Sequence, residues 1–249
     1  ARYHANGSLD TSFGQNGIAV LDFGNSSESI NAIAVQTDNK IVAVGKSNVS
    51  HIEQDFAAVR FNADGSLDTT FGNGGKFILN RSSADIASAV IIQPDNKILI
   101  GGRAGAFGGI LRLNTNGTTD GNFGVSGFAG NVNGSIGKDL TLQKDGKIIS
   151  VGDGILRFNA NGTLDTTFGN AGRAMLFETF VSAVSVRPNG LIIVAGDSSS
   201  FMPGTDLNFV TAIFDANGNF ISRIDTDFNG SEKAEAVMLH PNGAVFTAG

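Results

Sequence analysis

The chain has 249 residues, no cysteine, no tryptophan, and a net charge of -6 with a pI near 4.9. The missing cysteines exclude disulfides and thiolate metal sites, though they leave the redox compartment open. The acidic balance, with no Lys/Arg cluster, leaves no means of releasing counterions from a nucleic-acid backbone. With 34 glycines, 19 phenylalanines and 16% charged residues, the expected core is made of short strands and many turns. No run approaches the roughly 18 apolar residues of a membrane-spanning helix, and none has the pattern of a signal peptide. The chain opens on Ala1 rather than Met, which suits a processed form, or an excised piece, of a secreted product.

In chain order, Arg2 to Gly14 (RYHANGSLDTSFG) predicts a hairpin, and Gly17 to Phe23 a further extended run. Ile30 to Gln36 alternates, Asp38 and Asn39 turn the chain, and Lys40 to Lys46 runs back. A loop through His51 and Glu53 leads to Asp55 and into Arg60 to Gly72 (RFNADGSLDTTFG), a second copy of the opening phrase. Further copies are Arg112 to Gly124 (RLNTNGTTDGNFG), Arg157 to Gly169 (RFNANGTLDTTFG) and a worn one from Ile213 (IFDANGNFISRIDTDFNG). Between them a shorter phrase recurs: QTDNKIVAVG from Gln36, QPDNKILIGG from Gln93, QKDGKIISVG from Gln143, RPNGLIIVAG from Arg187 and HPNGAVFTAG from His240. The repeat starts, near residues 2, 60, 112, 157 and 213, are spaced 58, 52, 45 and 56 apart. The variation falls in loops, from the Gly-rich Arg103 to Gly109 to the insertion Ser198 to Asn208, which holds Phe201, Met202 and Pro203. With no helical periodicity and no break in composition, residues 1–249 read as one domain.

The first phrase is two strands joined by a three-residue loop closed by glycine in the left-handed region. That register sets Phe61 opposite Leu67 and pairs Arg2 with Asp10, Arg60 with Asp68, Arg112 with Asp120 and Arg157 with Asp165. In the fifth copy it sets Ile213 opposite Ile221, an apolar pair in place of a charged one. Either kind of pair contributes roughly 0.2–1 kcal/mol, so the Arg and Asp are expected to be structural.

A repeat of about 50 residues with four short strands describes a propeller blade. Its strands are a (Ile30 to Gln36), b (Lys40 to Lys46), c (Asp55 to Asn62) and d (Ser66 to Phe71). The chain enters in c and stops after b, so its ends complement each other. The expectation is an all-β, five-bladed propeller of four-stranded antiparallel blades, its ring closed by pairing of N-terminal and C-terminal strands; a piece of a larger ring is the rival. Closure would spare the sheet two long free edges.

The alternation of NADGSLDTTFG with QPDNKILIGG resembles the bacterial delta-60 repeat across nearly the whole chain, and more weakly the NHL-type propellers. The resemblance implies a propeller in a secreted or surface-attached bacterial protein and no established reaction. The fifth copy departs from the pattern at Ile213, Ile221 and Asn229.

A carboxylate stands near the entry to each a strand: Glu28, Asp85, Glu178 and Glu232, with Asp139 one strand position further in. As the a strands of a propeller line its channel, these could ring the channel mouth and bind a cation or a polyhydroxylated ligand. The plainer reading is that each accepts backbone N–H groups in its own loop. Calcium at the Asn62, Asp64, Asp68 turn or the Asp215, Asn217, Asn219 turn would need a longer wrapping loop, so no cofactor is expected. His4, His51 and His240 occupy non-equivalent places and pair with no nucleophile. A glycosidase would draw on the ring carboxylates, but it needs differentiated acids where a repeated ring offers similar ones. The expected function is therefore non-enzymatic: a structural, adhesion or protein-interaction module, outside the cell or on its surface, whose partners are other surface proteins or glycans. A carbohydrate-binding propeller is the alternative. The sequence identifies neither the partner nor the oligomeric state.

Overall fold

The computed structural model describes residues 1–24, 27–48, 54–80, 85–105, 107–132, 136–198, 207–230 and 232–249. Among them no helix is long and apolar enough to cross a membrane. The strands are β1 (Glu28–Val35), β2 (Ile41–Ser47), β3 (Asp55–Phe61), β4 (Lys76–Leu79), β5 (Ile86–Ile92), β6 (Ile98–Ala104), β7 (Phe107–Leu113), β8 (Phe128–Val132) and β9 (Ile136–Leu142). They continue as β10 (Ile148–Gly152), β11 (Ile155–Phe158), β12 (Arg173–Ala174), β13 (Thr179–Val186), β14 (Ile192–Ser198), β15 (Phe209–Phe214), β16 (Phe220–Thr226), β17 (Ala236–Leu239) and β18 (Val245–Ala248). Four antiparallel sheets of four strands follow one another, β1–β4, β5–β8, β9–β12 and β13–β16, and β17–β18 forms a two-stranded sheet. Packing divides the chain into two units, residues 1–106 with 111–120, and residues 107–110 with 121–249.

Strands a, b and c fall where the alternation places them. In the a–b turn the Gln36 carbonyl accepts the Asn39 N–H (2.9 Å), and Asn39 takes a left-handed φ of 64°. The c-strand hairpin has the three-residue loop: Phe61 bridges Leu67, the Gly65 N–H donates to the Asn62 carbonyl (2.9 Å), and Gly65 has φ of 87°.

The fourth strand lies elsewhere than expected. Asp68 Oδ1 accepts both the N–H (3.1 Å) and the hydroxyl (2.6 Å) of Thr70, an Asx turn that ends the hairpin after one bridge. Ser66 to Phe71 is therefore a turn, and strand d is β4, which pairs with β3 from Val59↔Lys76 to Phe56↔Leu79. The fifth copy corrects the pairing too. Its Ile221 cannot make the Asx turn, so the chain runs straight on into β16, and Ile213 faces Ser222 instead of Ile221.

Each unit builds its core by laying one sheet on the next. In the first, β5 packs on β1 and β2, while Ala19, Leu21 and Phe23 cover Ala43, Val59 and Phe61. In the second, β13 packs on β9 and β10, and β17 on β13 and β14. Its main cluster gathers Ile149, Val151, Phe168, Val181, Val194 and Phe214.

Candidate functional site

The repeated Arg, Asp, Phe and Gly act as one fastening. Arg60 Nε donates to Asp68 Oδ2 (2.7 Å), which also receives Lys40 Nζ (2.8 Å), and the guanidinium lies 4.7 Å from the centre of the Phe71 ring. A second guanidinium nitrogen reaches the Thr115 carbonyl in the next repeat's turn (2.5 Å), and the Gly72 N–H reaches the adjacent Asn116 carbonyl (2.7 Å). Arg2 repeats the set with Asp10 (2.8 Å), Phe13 (4.8 Å) and the Ala63 carbonyl (2.6 Å). Arg157 does so with Asp165 (2.8 Å), Phe168 (4.7 Å) and the Ala216 carbonyl (2.6 Å). Arg112 and Lys97 both meet Asp120 at 2.9 Å. A buried ion pair repays its desolvation only when hydrogen bonds satisfy the rest of both groups. Here Thr, Lys and backbone carbonyls supply them, so the motif's charges are spent on joining consecutive repeats.

These contacts set the acid titration. Burial works against ionisation of Asp68 and Asp165, but hydrogen bonds from Lys40 or Lys147 and from the Thr two residues on, with the Arg charge, hold both well below the ordinary carboxylate range. Asp10 is lowered to about 2, chiefly by the Ser12 hydroxyl. Asp139 and Asp197 shift the other way because burial disfavours their charge. A lowered carboxylate stabilises the fold above its unfolded pKa of about 4 and loses that contribution as pH falls. A raised one costs stability above the same value and is relieved on protonation. Thermal unfolding should accordingly show a midpoint that rises as pH drops from neutral towards the unfolded carboxylate pKa of about 4 and falls below it. In the Asp139→Asn, Asp197→Asn double variant the rise should vanish and the acid fall remain.

Of the five carboxylates expected near the a strands, three accept backbone N–H groups. Glu28 accepts the Phe23 N–H (2.9 Å), and the fully buried Asp85 accepts the Gly105 N–H. Asp139 accepts the N–H groups of Leu140 (2.8 Å) and Val184 (2.9 Å). Glu178 is exposed at a left-handed φ of 52°, and Glu232 has one carboxylate oxygen buried without a hydrogen-bond partner. At the turns, Asp64 accepts the Ser66 N–H (2.9 Å) and hydroxyl (2.6 Å), and Asp215 receives Asn217 and Asn219. No three acidic or histidine side chains among the described residues gather as a metal site. His4 lies 3.8 Å from Asp10 and His240 packs edge-on to Phe246. His51 and most of the insertion at 198–208 lie outside the described residues.

Sequence reasoning missed a feature of the a strands. Register shifts beside Asn31, Ser88 and Ser182 mark β-bulges, which re-aim a side chain. Asn31 Nδ2 donates to the Ala87 carbonyl (2.8 Å) on the following sheet, and Lys138, at a fourth shift, reaches Ser182 Oγ (3.4 Å). Readable signals were Gly45, Gly102 and Gly196, each in a strand and opposite the bulge. A side chain there would strike the backbone across the ladder.

The model of a β-propeller domain of unknown function, DUF5122, matches residues 1–13, 36–71, 93–123 and 143–168. No curated protein sequence matches the chain. Among solved structures, the Dos1 propeller is similar with a TM-score of 0.51 at 11% identity, over 85% of this chain and 49% of that one. A candidate gluconolactonase (TM-score 0.49, 15% identity) is matched over 83% of this chain and 65% of its own. For YCF48 bound to D1 peptide (TM-score 0.49, 12% identity) the shares are 92% and 65%. The chain thus spans from about half to about two thirds of the length of these proteins. Its four-stranded antiparallel sheets, the repeated match and the likeness to the Dos1 propeller identify the fold as a β-propeller.

Proposed function

We propose that the chain is a non-enzymatic propeller of the delta-60 type, serving as a structural, adhesion or protein-interaction module of a secreted or surface-attached bacterial protein. One observation carries this reading: the charged side chains that recur from repeat to repeat are consumed in fastening repeats together, Arg60 to Asp68 and Thr115 being the pattern. Carboxylates that could serve a hydrolase, Glu28, Asp85 and Asp139, accept backbone N–H groups. In a panel of nitrophenyl glycosides we expect no turnover above buffer. Turnover abolished by Asp139→Asn or Glu232→Gln would overturn the reading.

We further propose five blades in a closed ring. Ile30, Ile33 and Val35 of β1 are 63%, 65% and 59% exposed. By register against Gly45, Gly102 and Gly196, the first two correspond to Ala87 and Val90 and to Val181 and Val184, all at most 8% exposed beneath the preceding a and b strands. The matching pair with no successor is β17–β18, where Met238 and Phe246 are 59% and 53% exposed. Seating that pair on β1 would cover both apolar surfaces and complete a fifth blade with residues 1–23.

A further inference from the structure

We propose that the outer edge of β16 pairs with the same edge of a second copy of this chain, antiparallel about a two-fold axis at Ile224. The sheet β13–β16 ends on β16, and among the described residues no strand pairs with its outer side. The edge lies wholly in the second unit, and closure of the ring would not use it. β4 is followed by the sheet β5–β8, and β12 by β13–β16, yet each remains the last strand of its own sheet.

Length sets β16 apart. The strands in its place in the other sheets, β4, β8 and β12, have four, five and two residues, whereas β16 has seven. A long apolar edge is a template for another strand, and Ile221 and Ile224 are 52% and 64% exposed. The ladder fixes which backbone groups the edge offers. The Ser198 N–H donates to the Asn208 carbonyl (3.0 Å), so alternation turns the backbone groups of Val210 and Ala212 towards β14 and those of Phe209, Thr211 and Ile213 towards β16. Their partners Thr226, Ile224 and Ser222 face back, which leaves the N–H and C=O groups of Arg223 and Asp225 pointing outward.

Charge then selects the register. A two-fold axis at Arg223 would set that cation against its own copy, and an axis at Asp225 would oppose two carboxylates, both destabilising. An axis at Ile224 sets Arg223 opposite Asp225 on either side, each a hydrogen-bonded pair, with the two exposed Ile224 side chains meeting at the centre. In the same register Ser222 faces Thr226 and Phe220 comes opposite Phe228, and Ile221, opposite Asp227, is the one unmatched position. Arg223 Nε already donates to Asp225 Oδ1 at 2.8 Å within the strand, so the two copies together form a cluster of alternating charge. Edge charges commonly keep strands apart; these complement each other across the axis. An isologous contact of this kind closes at two copies, and a single strand edge is small enough to make the dimer a weak one.

Sedimentation velocity from micromolar to millimolar concentration tests the proposal. The wild-type chain should pass from a monomer of 25.7 kDa to a dimer and stop there. Ile224→Lys, which sets two ammonium groups against each other on the axis, should weaken association tenfold or more. Arg223→Asp and Asp225→Arg should each do the same alone, and an equal mixture of the two should recover a heterodimer, because every cross-strand pair then joins an acid to a base again. Should Ile224→Lys fail to fold, the mixture decides alone. A wild-type chain that stays monomeric throughout, which would leave the edge to solvent or to a strand of another protein, would overturn the proposal. So would assembly beyond the dimer, association unchanged in Ile224→Lys, or a mixture that recovers nothing. None of these outcomes bears on whether the protein hydrolyses glycosides or closes its ring.

Discussion

Replacing Phe168 by alanine should cost about 3–5 kcal/mol, the range for deleting a large aromatic from a closed core. Phe168 is fully buried in the cluster with Ile149, Val151 and Phe214. It does two further jobs: its ring face carries the Arg157 guanidinium at 4.7 Å, and the next repeat's Gly218 lies against its edge. Its loss empties a core site and removes the platform that aims Arg157 at the Ala216 carbonyl. A urea titration should show the midpoint falling with little change in slope. Phe177→Ala provides the contrast, because Phe177 is 80% exposed and outside the cluster; its cost should stay within about 0.5 kcal/mol. Equal effects at the two positions would contradict the assigned packing.

The second large effect comes from one methyl group. Gly65 and Gly7 close the same turn in consecutive copies with nearly the same backbone, φ of 87° and 83°. A Cβ on Gly65 would stand 2.7 Å from the Gly14 backbone nitrogen and 2.9 Å from the Phe13 ring, whereas one on Gly7 meets nothing within 4 Å. Alanine at either position incurs the left-handed penalty, about 1–2 kcal/mol. At Gly65 it also forces apart a fastening whose nearest atom is backbone and cannot swing aside, which adds about 1–3 kcal/mol of overpacking. The difference between Gly65→Ala and Gly7→Ala, read from paired unfolding curves, therefore isolates the grip of one repeat on the next. No difference would mean that the grip contributes nothing.

Much of this was legible in the sequence because the repeats supply internal controls. Four copies with Arg eight residues before Asp fix a hairpin register, and Phe61 does bridge Leu67. What pattern alone could not give was the part played by side chains that bond backbone. Asp68 turns the chain through its own carboxylate, so a stretch that alternates like a strand is a turn and β4 begins at Lys76. In the fifth copy, loss of that Asp lets β16 run on, a consequence invisible when Ile213 and Ile221 are read as an exchanged pair. The candidate carboxylates shared a place in the repeat but not an environment. Asp85 is buried and bonded, Glu28 is exposed, and Glu232 is left with an unpaired oxygen, differences set by loop length and by partners distant in sequence.

Stacking of like faces is the principle behind both the core and the proposed ring, and the absence of native cysteine makes it easy to test. Val35→Cys with Met238→Cys places one thiol on the open face of β1 and one on the open face of β17. Under mild oxidation, closure predicts a disulfide within a single monomeric chain, read as a faster-running band on a non-reducing gel at monomer mass. A disulfide formed only between chains, or none while both thiols remain reactive, would contradict it.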